Sequence, residues 1–235
     1  MFELTLEGPG KNCLGSEMLR FILDGLAEAA GRPILLRGHG DAFSAGLNLK
    51  EVGRLEPDAM RGFLELLERC FVSLFLYPGP TVAVVGGHAI AGGCVLALCC
   101  DHRVATTNPR ARIGLNEVAL GLRFPPMTMG IVRARVPLRH LNEVVLGAGL
   151  LAPERALALG LVDELADDPE AVGRTRLATL AAHPADAYRL AKHDLRGRAP
   201  EDVATPAASE RWVRESLSMW TSDVVRQKIA AALAR

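Results

Sequence analysis

From Phe2 to Asp101 the chain alternates short apolar strand patterns with longer helical ones, and glycine or proline closes nearly every segment. Phe2, Leu4 and Leu6 alternate with polar residues as in a half-buried strand, which Gly8-Pro9-Gly10 ends. Ser16 is a candidate N-cap for a helix whose apolar stripe is Met18, Leu19, Ile22, Leu26 and Ala29, stopped by Gly31 and Pro33. A short buried strand follows at 33–38, then a glycine-punctuated segment at 39–49 that reads as a loop. Met60, Phe63, Leu64, Leu67, Phe71 and Leu74 mark a long amphipathic helix, closed by Pro78-Gly79-Pro80. The strand 81–85 and an apolar helix after Gly92 complete the third round. Such alternation predicts an α/β fold in which helices cover stacked or parallel strands.

Past Pro125 strand patterns nearly vanish. Helices are predicted at 137–147, 153–159, about 170–182 and about 206–233, with only 161–165 strand-like. The expected organisation is a β/α core over 1–180 followed by a helical C-terminal region over 181–235, with no internal repeat of fixed period. At 235 residues and 49% apolar content the chain can bury one sizeable core.

Composition removes several function classes. Lys and Arg total 27 against 27 Asp and Glu, with no basic block, so a nucleic-acid partner is not expected. No apolar run reaches bilayer length, so no membrane partner is expected either. Met1-Phe-Glu-Leu-Thr5 lacks the basic start and apolar core of a secretion signal, which sets the expectation of a cytoplasmic protein. The five cysteines (13, 70, 94, 99, 100) are odd in number, lie in apolar surroundings and show no ligand spacing. They read as reduced packing residues, and no metal site is expected.

The stretch AGGCVLALCCD, Ala91 to Asp101, places two glycines directly before an apolar helix. The first N–H groups of a helix have no intrahelical acceptor, so a helix starting at Gly92 points free donors at whatever precedes it. Glycine admits close approach of another molecule, although tight helix-to-sheet packing selects it equally well. The pattern matches neither the phosphate loop nor GxGxxG. A similar turn occurs earlier in AFSAGLNLK, Ala42 to Lys50.

The segments AFSAGLNLKEV and GGHAIAGGCVLALCCDHR, followed in order by IGLNEVALGL and ALALGLVDEL, resemble the crotonase superfamily, the enoyl-CoA hydratases and isomerases. The resemblance runs from about Leu6 to the C-terminus. It implies a ββα spiral core with a helical C-terminal trimerisation region, a homotrimer or hexamer, and an acyl-CoA thioester as substrate. No cofactor is implied, because coenzyme A is part of the substrate. The family's oxyanion hole falls on the backbone N–H groups of Leu47 and Gly92. Of the two glutamates its hydratases use, the first position is Val95 here and the second is Glu117.

A single Glu117 suits a double-bond shift better than a hydration, which usually divides its work between two groups. The combination is most like the 3,2-enoyl-CoA isomerases. A hydratase using Glu117 alone, or with a second acid from 51–68, is the enzymatic alternative; an acyl-CoA-binding relative without catalysis is another. Phe43 and Ala45 in the first turn, and Phe124 and Met127 with Met129 beyond Glu117, are candidates to line the acyl site. Asn48 stands where the family commonly has Asp. His88, Asp101 and Arg103 take positions the family uses structurally, and Trp220 and Lys228 lie on the last predicted helix, where the family often closes over the CoA.

Overall fold

The computed structural model describes residues 1–198, 200 and 205–234. Its strands are β1 (Phe2–Leu6), β2 (Ile34–Gly38), β3 (Ala42–Ser44), β4 (Thr81–Val85), β5 (His88–Ile90), β6 (His102–Thr106), β7 (Ile113–Gly114) and β8 (Glu164–Ala166). A parallel sheet takes them in the order β1-β2-β4-β6-β8, and a smaller parallel sheet takes β3-β5-β7. The chain therefore lays one strand in each sheet per turn, β2 then β3, β4 then β5, β6 then β7. This is the expected spiral of ββα units.

Two corners of the spiral require glycine. A Cβ on Gly38 would lie 2.0 Å from the Ala42 carbonyl oxygen, and one on Gly87 would lie 1.9 Å from that of Asp41. The backbone has to turn from one sheet into the other where no side chain fits.

The helices are a single irregular turn α1 (Pro9–Asn12), then α2 (Ser16–Ala29), α3 (Leu49–Val52), α4 (Pro57–Phe75), α5 (Gly92–Cys99) and α6 (Pro126–Arg135). They are followed by α7 (Leu141–Gly147), α8 (Pro153–Ala158), α9 (Pro169–Ala181), α10 (Ala185–Arg196), α11 (Pro206–Trp220) and α12 (Asp223–Leu233). The central strands alternate between two buried faces. Ile34, Leu36, Ala83, Val85 and Ala105 face the main core with α2, α4 and α5, while Leu35, Val82, Val84 and Val104 meet Leu177 of α9. Burial on both faces accounts for the continuous apolar runs of these strands. Helix α5 is apolar all round and buried along its whole length, as a central core helix should be.

The segment 39–49, expected as a loop, contains β3 and the start of α3. Three-residue strands are too short to show a period. Helix α10 escaped the apolar pattern because its buried positions are Lys192 and Arg196 rather than leucines. These two side chains reach the Asp101 carboxylate at 2.9 and 3.0 Å, and its Oδ2 also accepts the Thr81 N–H at 2.7 Å. Arg103 pairs with Asp163, its Nε 2.7 Å from Oδ2. Asp101 and Arg103 thus anchor structure. The helix predicted at 206–233 is two helices, broken where the Ser222 hydroxyl caps α12 by accepting the Val225 N–H. Both fold back onto the core, α11 on α4 and α6, α12 on α3 and on the 3-10 turn Val118–Leu120. No helix among the described residues is long and apolar enough to cross a membrane.

Candidate active site

The two glycine turns meet. A Cβ on Gly46, at φ +89°, would sit 2.7 Å from the Ile90 carbonyl oxygen and 3.5 Å from the Gly92 nitrogen. The N–H of Leu14 donates to the Gly46 carbonyl at 2.7 Å, and the N–H of Asn48 donates to the Leu14 carbonyl at 3.0 Å. These bonds hold the residues on either side of Leu47 and leave its own N–H out of the ladder. Gly92 opens α5, so its N–H has no intrahelical acceptor.

Ala91 gives that helix start its direction. Its backbone lies at φ 50°, ψ −123°, a conformation a residue with a Cβ rarely adopts. The N–H of Ala91 donates to the Gly114 carbonyl at 2.8 Å, and its carbonyl accepts the N–H of Val95 at 3.0 Å. Strain held by surrounding bonds is common where a backbone must be aimed. The paired glycines have separate reasons. A Cβ at Gly93 would be 2.3 Å from the Ser44 carbonyl oxygen, which is packing against β3, whereas Gly92 lines a cavity and a Cβ there would meet the Leu47 and Leu14 side chains at 3.3 and 3.4 Å.

That cavity has a volume of about 310 Å³ and mostly apolar walls. Ala45, Leu47, Gly92, Glu117 and Phe124 line it together, and Val95 occupies the wall where a second carboxylate was absent from the sequence. Phe43 does not reach it. Its strand is buried throughout, and the ring lies wholly in the main core. Met127 and Met129 are also outside the wall, because α6 turns Thr128 to the cavity instead. For Phe43 and Met127 the expected lining role is therefore corrected by placement.

Glu117 leads into the 3-10 turn, and its carbonyl accepts the N–H groups of Leu120 and Leu122 at 3.0 and 2.9 Å. The residue is only 7% exposed, and its Oε2 has no hydrogen-bond partner among the described residues. Burial pushes its carboxyl up to about 8, against a small opposing effect from a backbone N–H. Among the described residues it is the one carboxylate in the wall. Of the acids in 51–68, Glu51 is engaged by Ser16, whose N–H approaches Oε2 at 3.0 Å, and Glu68 Oε1 accepts the N–H groups of Met127 and Thr128 at 2.7 and 3.2 Å. Asn48 caps α3, its Oδ1 accepting the Glu51 N–H at 3.4 Å. His88 accepts the Arg112 N–H at Nδ1, 3.2 Å away, as a structural residue would. No group of three or more His, Cys, Asp or Glu among the described residues is placed to hold a metal ion.

Sequence reasoning missed several wall residues. Leu67 and Phe71 of α4, four residues apart, were legible only as a core stripe, and Asn116, Thr128 and Leu150 carried no periodic signal. Trp220, noted for its helix, does line the cavity. Lys228 is placed otherwise, its Nζ donating to the Ala119 carbonyl at 2.9 Å.

A spiral of ββα turns, two abutting glycine corners with outward N–H groups, and one desolvated carboxylate in a shared apolar cavity define a crotonase-type protein. A family model described as enoyl-CoA hydratase/isomerase matches residues 1–219, and the chain belongs to that enzyme family. It is 34% identical over 220 residues, 88% of this chain and 85% of the relative, to a Thermus thermophilus protein that carries the name of an enoyl-CoA hydratase. It is 29% identical over 205 residues, 86% of this chain and 67% of the relative, to human mitochondrial enoyl-CoA delta isomerase 1. Among solved structures, human mitochondrial delta3-delta2-enoyl-CoA isomerase superposes with a TM-score of 0.91 at 25% identity, covering 99% of this chain and 92% of that one.

Proposed function

We propose that the protein is an enoyl-CoA isomerase that moves the double bond of a 3-enoyl-CoA to the 2-position. The observation that carries this reading is that Glu117 is, among the described residues, the single carboxylate lining the cavity, with Val95 where a partner acid would stand. Glu117 removes a proton from C2 of the bound thioester. The electron pair moves to the thioester oxygen, giving a dienolate, and the N–H groups of Leu47 and Gly92 hold that oxygen. Preorganised donors of this kind contribute most where charge develops, each worth roughly 3 kcal/mol of barrier. The protonated Glu117 then delivers the proton to C4, the double bond re-forms between C2 and C3, and the carboxylate is regenerated.

A carboxyl near pH 8 fits this shuttle, being a stronger base than an exposed glutamate and still able to return the proton. Both steps use protein groups alone, so the reaction takes no cofactor beyond the CoA of the substrate. Hydration would need a second acid, and Glu51 and Glu68 are committed to other contacts. The human isomerase relative and structural neighbour support the same choice.

Assembly as a homotrimer or hexamer is part of the reading, because Leu138, Leu146 and Leu157 present exposed apolar surface around α7 and α8. The setting we assign is the cytoplasm, in keeping with free cysteines of which four are buried. The test is conversion of 3-hexenoyl-CoA to 2-hexenoyl-CoA, followed by retention time and mass. Glu117→Gln should abolish it while acyl-CoA binding persists; wild-type turnover in that variant would remove Glu117 from the mechanism.

A further inference from the structure

Between β1 and α2 the backbone makes a left-handed turn. Gly10 lies at φ 63°, ψ 40°, Lys11 at φ 63°, ψ 54°, and Asn12 at φ 59°. Residues with a Cβ visit this region singly, because the Cβ crowds a neighbouring carbonyl oxygen. Two of them in succession persist only where surrounding bonds hold them.

The bonds of this turn run chiefly to the first glycine turn of the site. Asn12 is 3% exposed, and its Nδ2 donates to the carbonyls of His39 and Ala42, both at 2.9 Å, and approaches that of Phe43 at 3.4 Å. Its Oδ1 accepts the Gly8 N–H at 3.3 Å, so both ends of the amide are engaged. The Asn12 carbonyl accepts the Ser44 hydroxyl at 2.8 Å, and the Lys11 carbonyl accepts the Ala45 N–H at 3.0 Å. Ser44 Oγ in turn accepts the Gly46 N–H at 3.3 Å. Leu14, just beyond, pairs with Gly46 and Asn48. The left-handed backbone is what turns the carbonyls of Lys11 and Asn12 toward residues 44 and 45, and asparagine suits it twice over. It tolerates this conformation, and its amide supplies donors and an acceptor together. Asn12 itself does not line the cavity.

We infer that Asn12 is a positioning residue of the proposed oxyanion hole: from the left-handed turn it holds residues 42–46 so that the Leu47 N–H is aimed at the thioester oxygen. This rests on the acyl-CoA site proposed above, though not on the double-bond shift. The test records the infrared carbonyl stretch of bound hexanoyl-CoA, isotopically labelled at C1, together with kcat and KM for 3-hexenoyl-CoA. It compares the wild type with Asn12→Gly, Ser44→Ala and Tyr77→Phe. Glycine keeps the left-handed backbone and removes only the side-chain bonds, and Ser44→Ala cuts the link with little change of shape. Tyr77→Phe is the control for lost stability, since it removes a hydroxyl that donates to the Arg32 carbonyl at 2.8 Å outside the cavity wall.

On the wild type the stretch should lie below its position in water, as a polarised carbonyl requires. Asn12→Gly and Ser44→Ala should return it toward the free value and lower kcat about tenfold or more with little change in KM, because small misplacements of a fixed group cost on that scale. Tyr77→Phe should do neither. Folded Asn12→Gly and Ser44→Ala proteins that keep the wild-type stretch would overturn the inference whatever their stability, and so would an equal change in Tyr77→Phe. If Asn12→Gly does not fold, Ser44→Ala decides alone. Because hexanoyl-CoA has no double bond, the stretch decides even where 3-hexenoyl-CoA is not turned over; a wild-type stretch equal to that in water would instead remove the hole, and the role of Asn12 with it.

Discussion

The indole N–H of Trp212 donates to the carbonyl of Phe124 at 2.9 Å, with both residues buried. Two more side chains of the C-terminal helices act on the same segment, Trp220 Nε1 on the Arg123 carbonyl at 3.2 Å and Lys228 Nζ on the Ala119 carbonyl at 2.9 Å. The stretch between Glu117 and α6 is thus held from outside by α11 and α12. Trp212→Phe keeps most of the packing and leaves the Phe124 carbonyl without this donor. It should cost about 1–3 kcal/mol of stability, read as a lower midpoint in urea with an unchanged slope; an unshifted midpoint would show that water replaces the indole.

Glu117 makes stability depend on pH with a definite sign. Its folded pKa, about 8, lies above the ordinary 4.5, so between these values the folded state binds the extra proton. Its contribution is complete below pH 4.5, falls as pH rises through about 8, and is constant above. Glu117→Gln lacks the titration. Its stability relative to wild type should rise across that window by a few kcal/mol and then level off. Parallel stability curves for the two proteins would mean that the carboxyl is solvated.

The same group governs the rate. The base works only when ionised, so kcat/KM should rise with pH and level off above about 8. A profile already flat from pH 5 to 8 would contradict a desolvated Glu117.

The glycine pair and its neighbour separate packing from aim. Gly93→Ala drives a Cβ to 2.3 Å from the Ser44 carbonyl oxygen, so the helix must shift and soluble yield should collapse. Ala91→Gly relieves the φ 50° strain and should gain roughly 1 kcal/mol of stability. It should also lower kcat, because the direction of the Gly92 N–H is no longer enforced by the strained turn. Thermal melting alongside initial rates distinguishes the two, and a variant both more stable and fully active would deny the strain a role.

Much of this arrangement is legible in the sequence. Short apolar runs give β1, β2 and β4 of the large sheet and the neighbourhood of β8 but not β6, and the ordered glycine turns with GLNE give the family and single out Leu47, Gly92 and Glu117. What escapes has physical causes. Strands β3, β5 and β7 are two or three residues long, too short for a period, and are defined by pairing across distant segments. Helix α10 is held by a buried ion cluster about Asp101, so no apolar stripe announces it. Phe43 and Met127 looked like wall residues by nearness in sequence to the turns. Strand alternation and the one-residue rotation along α6 decide which neighbour faces the cavity, and α6 presents Thr128.

The most direct test gives the purified protein 3-hexenoyl-CoA and 2-hexenoyl-CoA in separate reactions and identifies the products by mass and retention time. A single proton shuttle predicts that the first becomes 2-hexenoyl-CoA without change of mass and that the second gains no water. Hydration of 2-hexenoyl-CoA at a comparable rate would contradict it, because Glu117 alone would then not account for the chemistry.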